Sequence, residues 1–371
     1  MMGVPLSKFK RIVLKIGSSL LVRPSLGINR NYLDNLAHQV ALLKEEGREL
    51  LLVSSGAIAA GMERLNLKER PSSISELQAT AAVGQGFLMH LYEEAFERKK
   101  VKVAQVLLTH EDFRDRKRYL NARSTLLTLL SFGVVPIINE NDSVAIEEIR
   151  LGDNDTLAAL TASLVDAELL VIFTDVEGFF VEGPEGRKLL SLVKGDFRDL
   201  EVFAHGPGSK VGTGGMLTKL KAAKLASRAG IPTLIVKGSD PEVLKKVLQG
   251  ESFGTLFVPE RSKLTGKKRW IGLNIKPKGT IIVDQGAKEA ILERGKSLLP
   301  SGIKEVIGDF QRGDTVRLKD EEGHDFAQGL TNYSSREIRE IMGLKTYQIE
   351  EVLGYKYSDE VIHRDNLVLL E

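Results

Sequence analysis

Arg11-Ile12-Val13-Leu14-Lys15-Ile16-Gly17-Ser18-Ser19 sets the reading of the chain. A short β-branched run carrying a lysine near its end, closed by glycine and two hydroxyls, reads as a buried strand leading into a loop that a ligand can approach closely. A second such run, Glu49 to Val53, closes on Ser54-Ser55-Gly56. Between them Leu33, Leu36, Ala37, Val40 and Leu43 recur three and four apart, and Gly47 stands where a helix C-terminus favours glycine. The same order continues, with strand-like runs at Val101 to Leu108, Val134 to Ile138, Leu169 to Phe173 and Thr233 to Val236. Helical period covers 75–99, 120–131, 154–165, 216–229 and 240–248. Alternation of this kind predicts an α/β fold over residues 1–258, a three-layer sandwich with a mainly parallel sheet between helices.

Composition narrows the class. The chain has 371 residues, 42% hydrophobic and 27% charged, with 52 Lys and Arg against 50 Asp and Glu. That balance excludes disorder for the bulk, and at roughly 150 residues per domain the length calls for two domains. The absence of cysteine excludes disulfides, thiolate metal sites and a cysteine nucleophile, and fits a reducing cytoplasm. Lys15 interrupts the first apolar run too early for a secretory signal. The longest uncharged run, Ser124 to Asn139, contains Gly133 and Pro136 and is shorter than the roughly 20 apolar residues that cross a bilayer, so no membrane span is expected.

Near residue 259 the texture changes. Pro259, Arg261, Lys263, Lys267, Lys268 and Arg269 fall in a stretch with little apolar period, read as a linker over 259–273. Beyond it Gly279 to Val283, Val306 to Ile307, Thr315 to Leu318 and Phe326 to Leu330 are short strand-like runs between turn residues, with helical stretches at 286–294 and 334–342. Residues 274–371 thus form a small β-rich second domain, with 14 Lys and Arg against 18 Asp and Glu.

Chemistry concentrates at the strand ends, where open α/β sheets bind ligands. Lys15-Ile-Gly-Ser-Ser19 places a cation beside a glycine, and lysine in an apolar strand is costly without a partner. Ser54-Ser55-Gly56-Ala57-Ile58-Ala59-Ala60-Gly61 offers small residues and amides fit either to grip an anion or to pack a helix closely. Asn139-Glu140-Asn141-Asp142 and Gly152-Asp153-Asn154-Asp155 carry short polar side chains able to bind an ammonium group, coordinate magnesium or hold a lysine. Thr174-Asp175 ends a further apolar run. Lys210 to Lys219 is a glycine-rich turn running into a helix, whose free N–H groups and dipole suit a polyphosphate. Two lysines, a phosphate cradle and nearby acids describe phosphoryl transfer by charge stabilisation with no histidine. A Walker A loop is absent, the turn after the first strand lacks Gly-x-Gly-x-x-Gly, and His363-Arg364-Asp365 copies a protein-kinase catalytic loop without the Asn that must follow. Arg114 to Arg118 reads as an interface or, in preference, a solvated helix start.

Together these strings, with Leu120-Asn121-Ala122-Arg123 and Thr213-Gly214-Gly215-Met216, resemble the amino acid kinase family, in its glutamate-phosphorylating branch. The region from Asn274, with Gly279-Thr-Ile-Ile-Val-Asp284 and Arg294-Gly-Lys-Ser-Leu-Leu-Pro300, resembles a PUA domain. The resemblance implies that Lys15 and Lys219 stabilise the phosphoryl group in transit and that Asp155 orients both lysines. It implies that Ser55, Asn139, Asp142 and Asn154 hold L-glutamate. ATP is assigned to Lys15, Thr174, Asp175, Thr213, Gly214, Gly215, Met216, Leu217, Thr218 and Lys219, and Mg2+ to Asp153. The reaction implied is ATP plus L-glutamate giving ADP and L-glutamyl 5-phosphate, the first step of proline biosynthesis. Feedback inhibition by L-proline and assembly into a homo-oligomer, dimer or tetramer, come with it. Ser54, where threonine is common, and Leu217, where a small residue is common, depart from the pattern. Competing readings are a kinase of N-acetylglutamate, aspartate or carbamate, and an RNA-binding protein acting through the PUA-like domain. An acidic domain lacks the basic footprint that RNA binding requires.

Overall fold

The computed structural model describes residues 8–23, 27–144, 154–183, 186–195, 197, 200, 215–240, 242–249, 254–259 and 277–370. The chain divides into two compact units. In the first, chain order runs β1 (Arg11–Ile16), α1 (Ser18–Leu21), β2 (Val22–Arg23), β3 (Gly27–Ile28), α2 (Arg30–Glu45), β4 (Glu49–Val53), α3 (Ala57–Leu65) and α4 (Ile74–Glu97). It continues through β5 (Val103–Leu108), α5 (His110–Arg114, of which the residues up to Asp112 group with this unit), α6 (Arg116–Ser131), β6 (Val135–Glu140), α7 (Asn154–Leu164) and β7 (Leu169–Thr174). It ends with β8 (Phe180–Gly183), β9 (Gly186–Leu189), β10 (Leu192–Lys194), α8 (Met216–Arg228), β11 (Thr233–Lys237), α9 (Val243–Leu248) and β12 (Thr255–Val258).

Eight strands form one sheet in the order β10-β12-β11-β7-β1-β4-β6-β5. Pairing is parallel from β11 to β5, while β12 lies antiparallel to β11. The expected mainly parallel sheet is therefore what forms. β1 is central because both faces of its run are apolar: Ile12, Leu14 and Ile16 join the core beneath α2, α4 and α9, and Val13 is equally buried on the opposite face. Parallel strands covered on both sides need such continuous apolar runs. Helix α2 buries Leu33, Leu36, Ala37, Val40 and Leu43, starts where the Asn29 side chain accepts from Tyr32 N–H, and is followed by Gly47 at φ +80°. Helices α7 and α8 line the other face.

Helices α3 and α4 cross at glycines. A Cβ on Gly61 would stand 1.9 Å from the Thr80 carbonyl oxygen, and one on Gly84 would stand 1.9 Å from that of Ala57. This close packing belongs to α3, which starts at Ala57, so only the first part of the Ser54 to Gly61 string is a strand-end turn. Gly56, at φ +99°, supplies the left-handed residue that turns the chain from β4 into α3. Helix α6 starts at Arg116, four residues before the expected position, and Arg118 pairs with Glu111 and Asp112 of α5. The basic run Arg114 to Arg118 thus straddles the end of α5 and the start of α6.

The second unit holds β13 (Gly279–Val283), α10 (Gln285–Leu292), β14 (Ile303–Gly308), β15 (Thr315–Lys319), β16 (Asp325–Leu330), α11 (Ser335–Ile341), α12 (Ile349–Leu353) and β17 (Leu367–Leu369). Its sheet order is β14-β13-β15-β16-β17, with only the β13–β15 pair parallel. Ile281, Val283, Val316, Leu318, Tyr333, Ile338 and Ile362 fill its core. The linker expected over 259–273 lies outside the described residues except for Pro259. Among the described residues no helix is long and apolar enough to cross a membrane.

Candidate active site

Three buried charges meet above the carboxyl end of the central strand. Lys15 stands on β1 opposite Val53 of β4 and Ile172 of β7, so its stem is enclosed by both neighbours. Lys219 lies one turn into α8, and Asp155 in the first turn of α7. Their exposures are 6%, 5% and 2%. Asp155 Oδ1 is 2.7 Å from Lys15 Nζ, and Oδ2 is 3.3 Å from Lys219 Nζ and 2.7 Å from the Thr218 hydroxyl. Buried charges persist only when paired, and this carboxylate pairs with both cations at once.

Burial opposes ionisation of Asp155, yet the charges of Lys15 and Lys219 and the hydrogen bonds from Lys15 and Thr218 overcome it and hold the carboxyl below its ordinary range. Burial, reinforced by the Lys15 charge, lowers Lys219 despite Asp155 and Asp175. Within this triad two lysines face one carboxylate, and Asp175 acts on Lys219 from beyond the end of β7.

The N-terminus of α8 opens toward the same cluster. Gly215 caps it in extended conformation and brings no side-chain acceptor, so among the described residues its first amides are open to a ligand. Met216 and Leu217 follow in the first turn, and the Thr218 hydroxyl links the Gly215 carbonyl at 2.8 Å to Asp155. At the end of β7 the Thr174 hydroxyl donates to Asp175 Oδ1 at 3.0 Å, and the Thr174 carbonyl accepts from Gly238 N–H at 2.8 Å. Gly17 N–H donates to the Phe173 carbonyl, where an added Cβ would approach to 3.0 Å. The glycine seen in the opening string therefore lets the β1 loop lie against β7. Thr213, Gly214 and Asp153 lie outside the described residues.

On the other side of Lys15 a chain of amides crosses the ends of β4 and β6. Asn154 Nδ2 lies 2.6 Å from the Ser54 carbonyl oxygen, 2.9 Å from Ser55 Oγ and 3.1 Å from Asn139 Oδ1, three acceptors that share its two hydrogens. Asn139 Oδ1 also accepts from Glu140 N–H, and Asn139 Nδ2 donates to Gln85 Oε1 at 2.8 Å. Ser55, Asn139 and Asn154 are thus brought together. Beside them a cleft of about 270 Å³ is lined by Ala81, Gln85, Gln105, Glu140, Asp142 and Ser143, among others. Burial there pushes the Asp142 carboxyl up to about 6. Behind the turn the Tyr92 hydroxyl, itself buried, meets Ser54 Oγ at 2.9 Å.

Gln85, Gln105 and Tyr92 are site neighbours that the sequence reading did not name. Gln85 and Tyr92 sit in α4, whose small and apolar residues signal packing, and a polar residue on such a face gives no sign of its partners.

Magnesium finds no home among the described side chains of this cluster, since both oxygens of Asp155 are engaged by lysine. Among the described residues the one group of three with metal-ligand spacing is Asp320, Glu322 and His324 in the second unit, where Asp320 already pairs with Lys288 at 2.8 Å.

A parallel sheet with two buried lysines clamped on one aspartate, beside a glycine-led helix N-terminus, is an arrangement chemically able to stabilise a phosphoryl group in transit. The chain belongs to the amino acid kinase family, whose model matches residues 10–237, and a PUA domain model matches 279–353. Among its relatives, Glutamate 5-kinase of Geobacter sulfurreducens is 51% identical over 368 residues, covering 98% of this chain and 99% of that one. Glutamate 5-kinase of Caldanaerobacter subterraneus subsp. tengcongensis is 49% identical over 364 residues, covering 97% and 98%. Carbamate kinase from Giardia lamblia, solved with AMP-PNP, shares the fold at TM-score 0.50 and 16% identity, covering 68% of this chain and all of that one.

Proposed function

We propose that the protein transfers the γ-phosphoryl group of ATP to the side-chain carboxylate of L-glutamate, giving ADP and L-glutamyl 5-phosphate, the first step of proline biosynthesis. The observation that carries this is the Lys15–Asp155–Lys219 cluster, in a chain that matches proteins named Glutamate 5-kinase along nearly their whole length at about half identity. A glutamate carboxylate is ionised at neutral pH, with a reference value of about 4.3, so attack on phosphorus needs no general base. One carboxylate oxygen bonds to the γ-phosphorus as the bond to the bridging oxygen breaks, and ADP departs with that electron pair. Lys15 and Lys219 stabilise the charge on the oxygens in transit, and Asp155 fixes where their ammonium groups stand. The uncapped amides at Gly215, Met216 and Leu217, with Thr218, Thr174 and Asp175, receive ATP, together with Thr213 and Gly214. Magnesium is assigned to the nucleotide's phosphates, because the described carboxylate of the cluster is committed to lysine.

Ser55, Asn154 and Asp142 are assigned to glutamate. Asn139 is assigned a bridging part, since its oxygen takes two donors and its nitrogen one acceptor. The proposal includes a kinase domain over 1–258, a linker over 259–273 and a PUA-like domain over 274–371. It also includes a cytoplasmic homo-oligomer and feedback inhibition by L-proline in the glutamate cleft, on the strength of the resemblance alone. The test is ADP release with ATP and Mg2+ across L-glutamate, N-acetyl-L-glutamate, L-aspartate and carbamate, with hydroxylamine trapping any acyl phosphate as a hydroxamate. Hydroxamate from glutamate alone is expected, and Lys219→Ala should lower turnover by orders of magnitude. Turnover with another acid and none with glutamate would refute the assignment.

A further inference from the structure

The amide chain at the ends of β4 and β6 has a direction, and backbone atoms set it. Glu140 N–H is a donor by necessity, so the Asn139 atom facing it is the carbonyl oxygen and the other is the NH2 group. That NH2 donates to Gln85, which makes the receiving atom Oε1. The opposite end is set in the same way, because the Ser54 backbone carbonyl accepts from Asn154. Gln85 therefore has its NH2 group left over, with no partner among the described residues, and its side chain lines the cleft. The lining also carries the amides of Gln105 and Asn141, the Ser143 hydroxyl and the carboxylates of Glu140 and Asp142; among the described residues, Gln85 is the lining amide held in place by the chain through Asn139 to Asn154.

We infer that Gln85 is a specificity-determining residue whose NH2 group receives the α-carboxylate of the amino acid substrate, while Asp142 takes its ammonium group. The inference rests on the proposed reaction and extends it to the end of the substrate that does not react. Lys15, Ser54 and Asn139 stand on or just beyond three adjacent strands, β1, β4 and β6, about 4.8 Å apart, so the cleft beyond β6 lies roughly 10 Å from the lysine strand. An extended glutamate, roughly 7 Å from one carboxylate to the other, covers most of that span, with its side-chain carboxylate toward the lysine ammonium groups and its zwitterionic end toward the cleft. A fixed donor beside fixed carboxylates accepts a zwitterion in one orientation and disfavours the reverse. It also disfavours a substrate acetylated on nitrogen, which has no ammonium for Asp142.

The test compares L-glutamate with its 1-amide, isoglutamine, which keeps the reacting carboxylate and the ammonium group but replaces the α-carboxylate with a carboxamide. Wild-type protein should strongly favour glutamate in kcat/KM. Gln85→Glu keeps the acceptor for Asn139 and turns the free donor into an anion. It should raise the KM for glutamate at least tenfold, leave the KM for ATP within twofold, and reduce the preference for glutamate over isoglutamine at least tenfold. Gln85→Met deletes the donor at nearly the same volume and serves if the glutamate variant does not fold, with the same loss of preference expected. An unchanged ratio of the two substrates in a folded variant would overturn the inference. Failure of the wild-type protein to phosphorylate glutamate at all would overturn the reaction and the inference with it.

Discussion

Asp155→Asn removes one charge and almost no volume, and it isolates the electrostatics of the site. In the native cluster one carboxylate, 2% exposed, answers two lysines at 2.7 and 3.3 Å. Without it two ammonium groups face each other, with the Asp175 charge still acting on Lys219, and breaking a buried ion pair in this way costs about 3–5 kcal/mol. A second route gives a similar ceiling. One lysine can escape by shedding its proton, at about 1.4 kcal/mol for each pH unit below its ordinary value of about 10.4, or about 4.6 kcal/mol at pH 7 and about 1.9 at pH 9. Over that interval the unfolded chain binds more protons than the folded variant, so the variant regains stability as pH rises. For a unit of this size each kcal/mol moves the melting temperature by roughly 2–4 °C, which predicts a deficit of roughly 6–20 °C at pH 7. The deficit should shrink by more than half at pH 9. Differential scanning calorimetry of both proteins at the two pH values, without nucleotide, measures it. A deficit below about 2 °C, or one of equal size at both pH values, would refute the electrostatic reasoning.

Asp142, held up to about 6 by burial, should lose its negative charge as pH falls through that value, so kcat/KM for glutamate should decline about tenfold per unit below pH 6. Asp142→Asn should lower kcat/KM at neutral pH and remove this acid limb from the profile; a limb that persists would assign it to another group. Gly84→Ala forces a methyl group to 1.9 Å from the Ala57 carbonyl and must prise α3 from α4, at a cost of about 1–3 kcal/mol or more in urea unfolding. Wild-type stability in that variant would mean the two helices are not held at the crossing described.

The apolar strands were the most legible part of the chain. Arg11–Ile16, Glu49–Val53 and Gly279–Val283 form with the boundaries expected, because each is a dense apolar run closed by a turn residue or charge. Helix α3 was obscured by its own composition: Ala57-Ile-Ala-Ala-Gly61 has little polar contrast to reveal a period, and its small residues serve helix crossing as well as ligand approach. β17 is only Leu367–Leu369, pairs with β16 alone, and is too short to stand out from its surroundings. The β8–β9 hairpin of Phe180–Leu189 has no alternating pattern to announce it. In the site, the lysine in an apolar strand was informative because burying it demands a partner, and Asp155 answers that demand. The amide chain was not legible, since Gln85 and Asn139 meet across 54 positions of sequence and amides carry no charge whose burial would call attention to them.

The position of Lys15 has a consequence for anyone who selects this protein for robustness. It occupies the innermost strand of the sheet, flanked by β4 and β7, where an aliphatic side chain would pack without any need for a counter-ion. Replacing buried ion clusters by apolar residues of similar volume is often neutral or stabilising. A screen that rewards soluble expression or heat resistance alone would thus drift toward an oily centre at Lys15, Asp155 and Lys219, and its winners would be durable and inert. Turnover has to be scored in every round, because in this sheet the most secure place in the fold is occupied by the groups that are hardest to keep there.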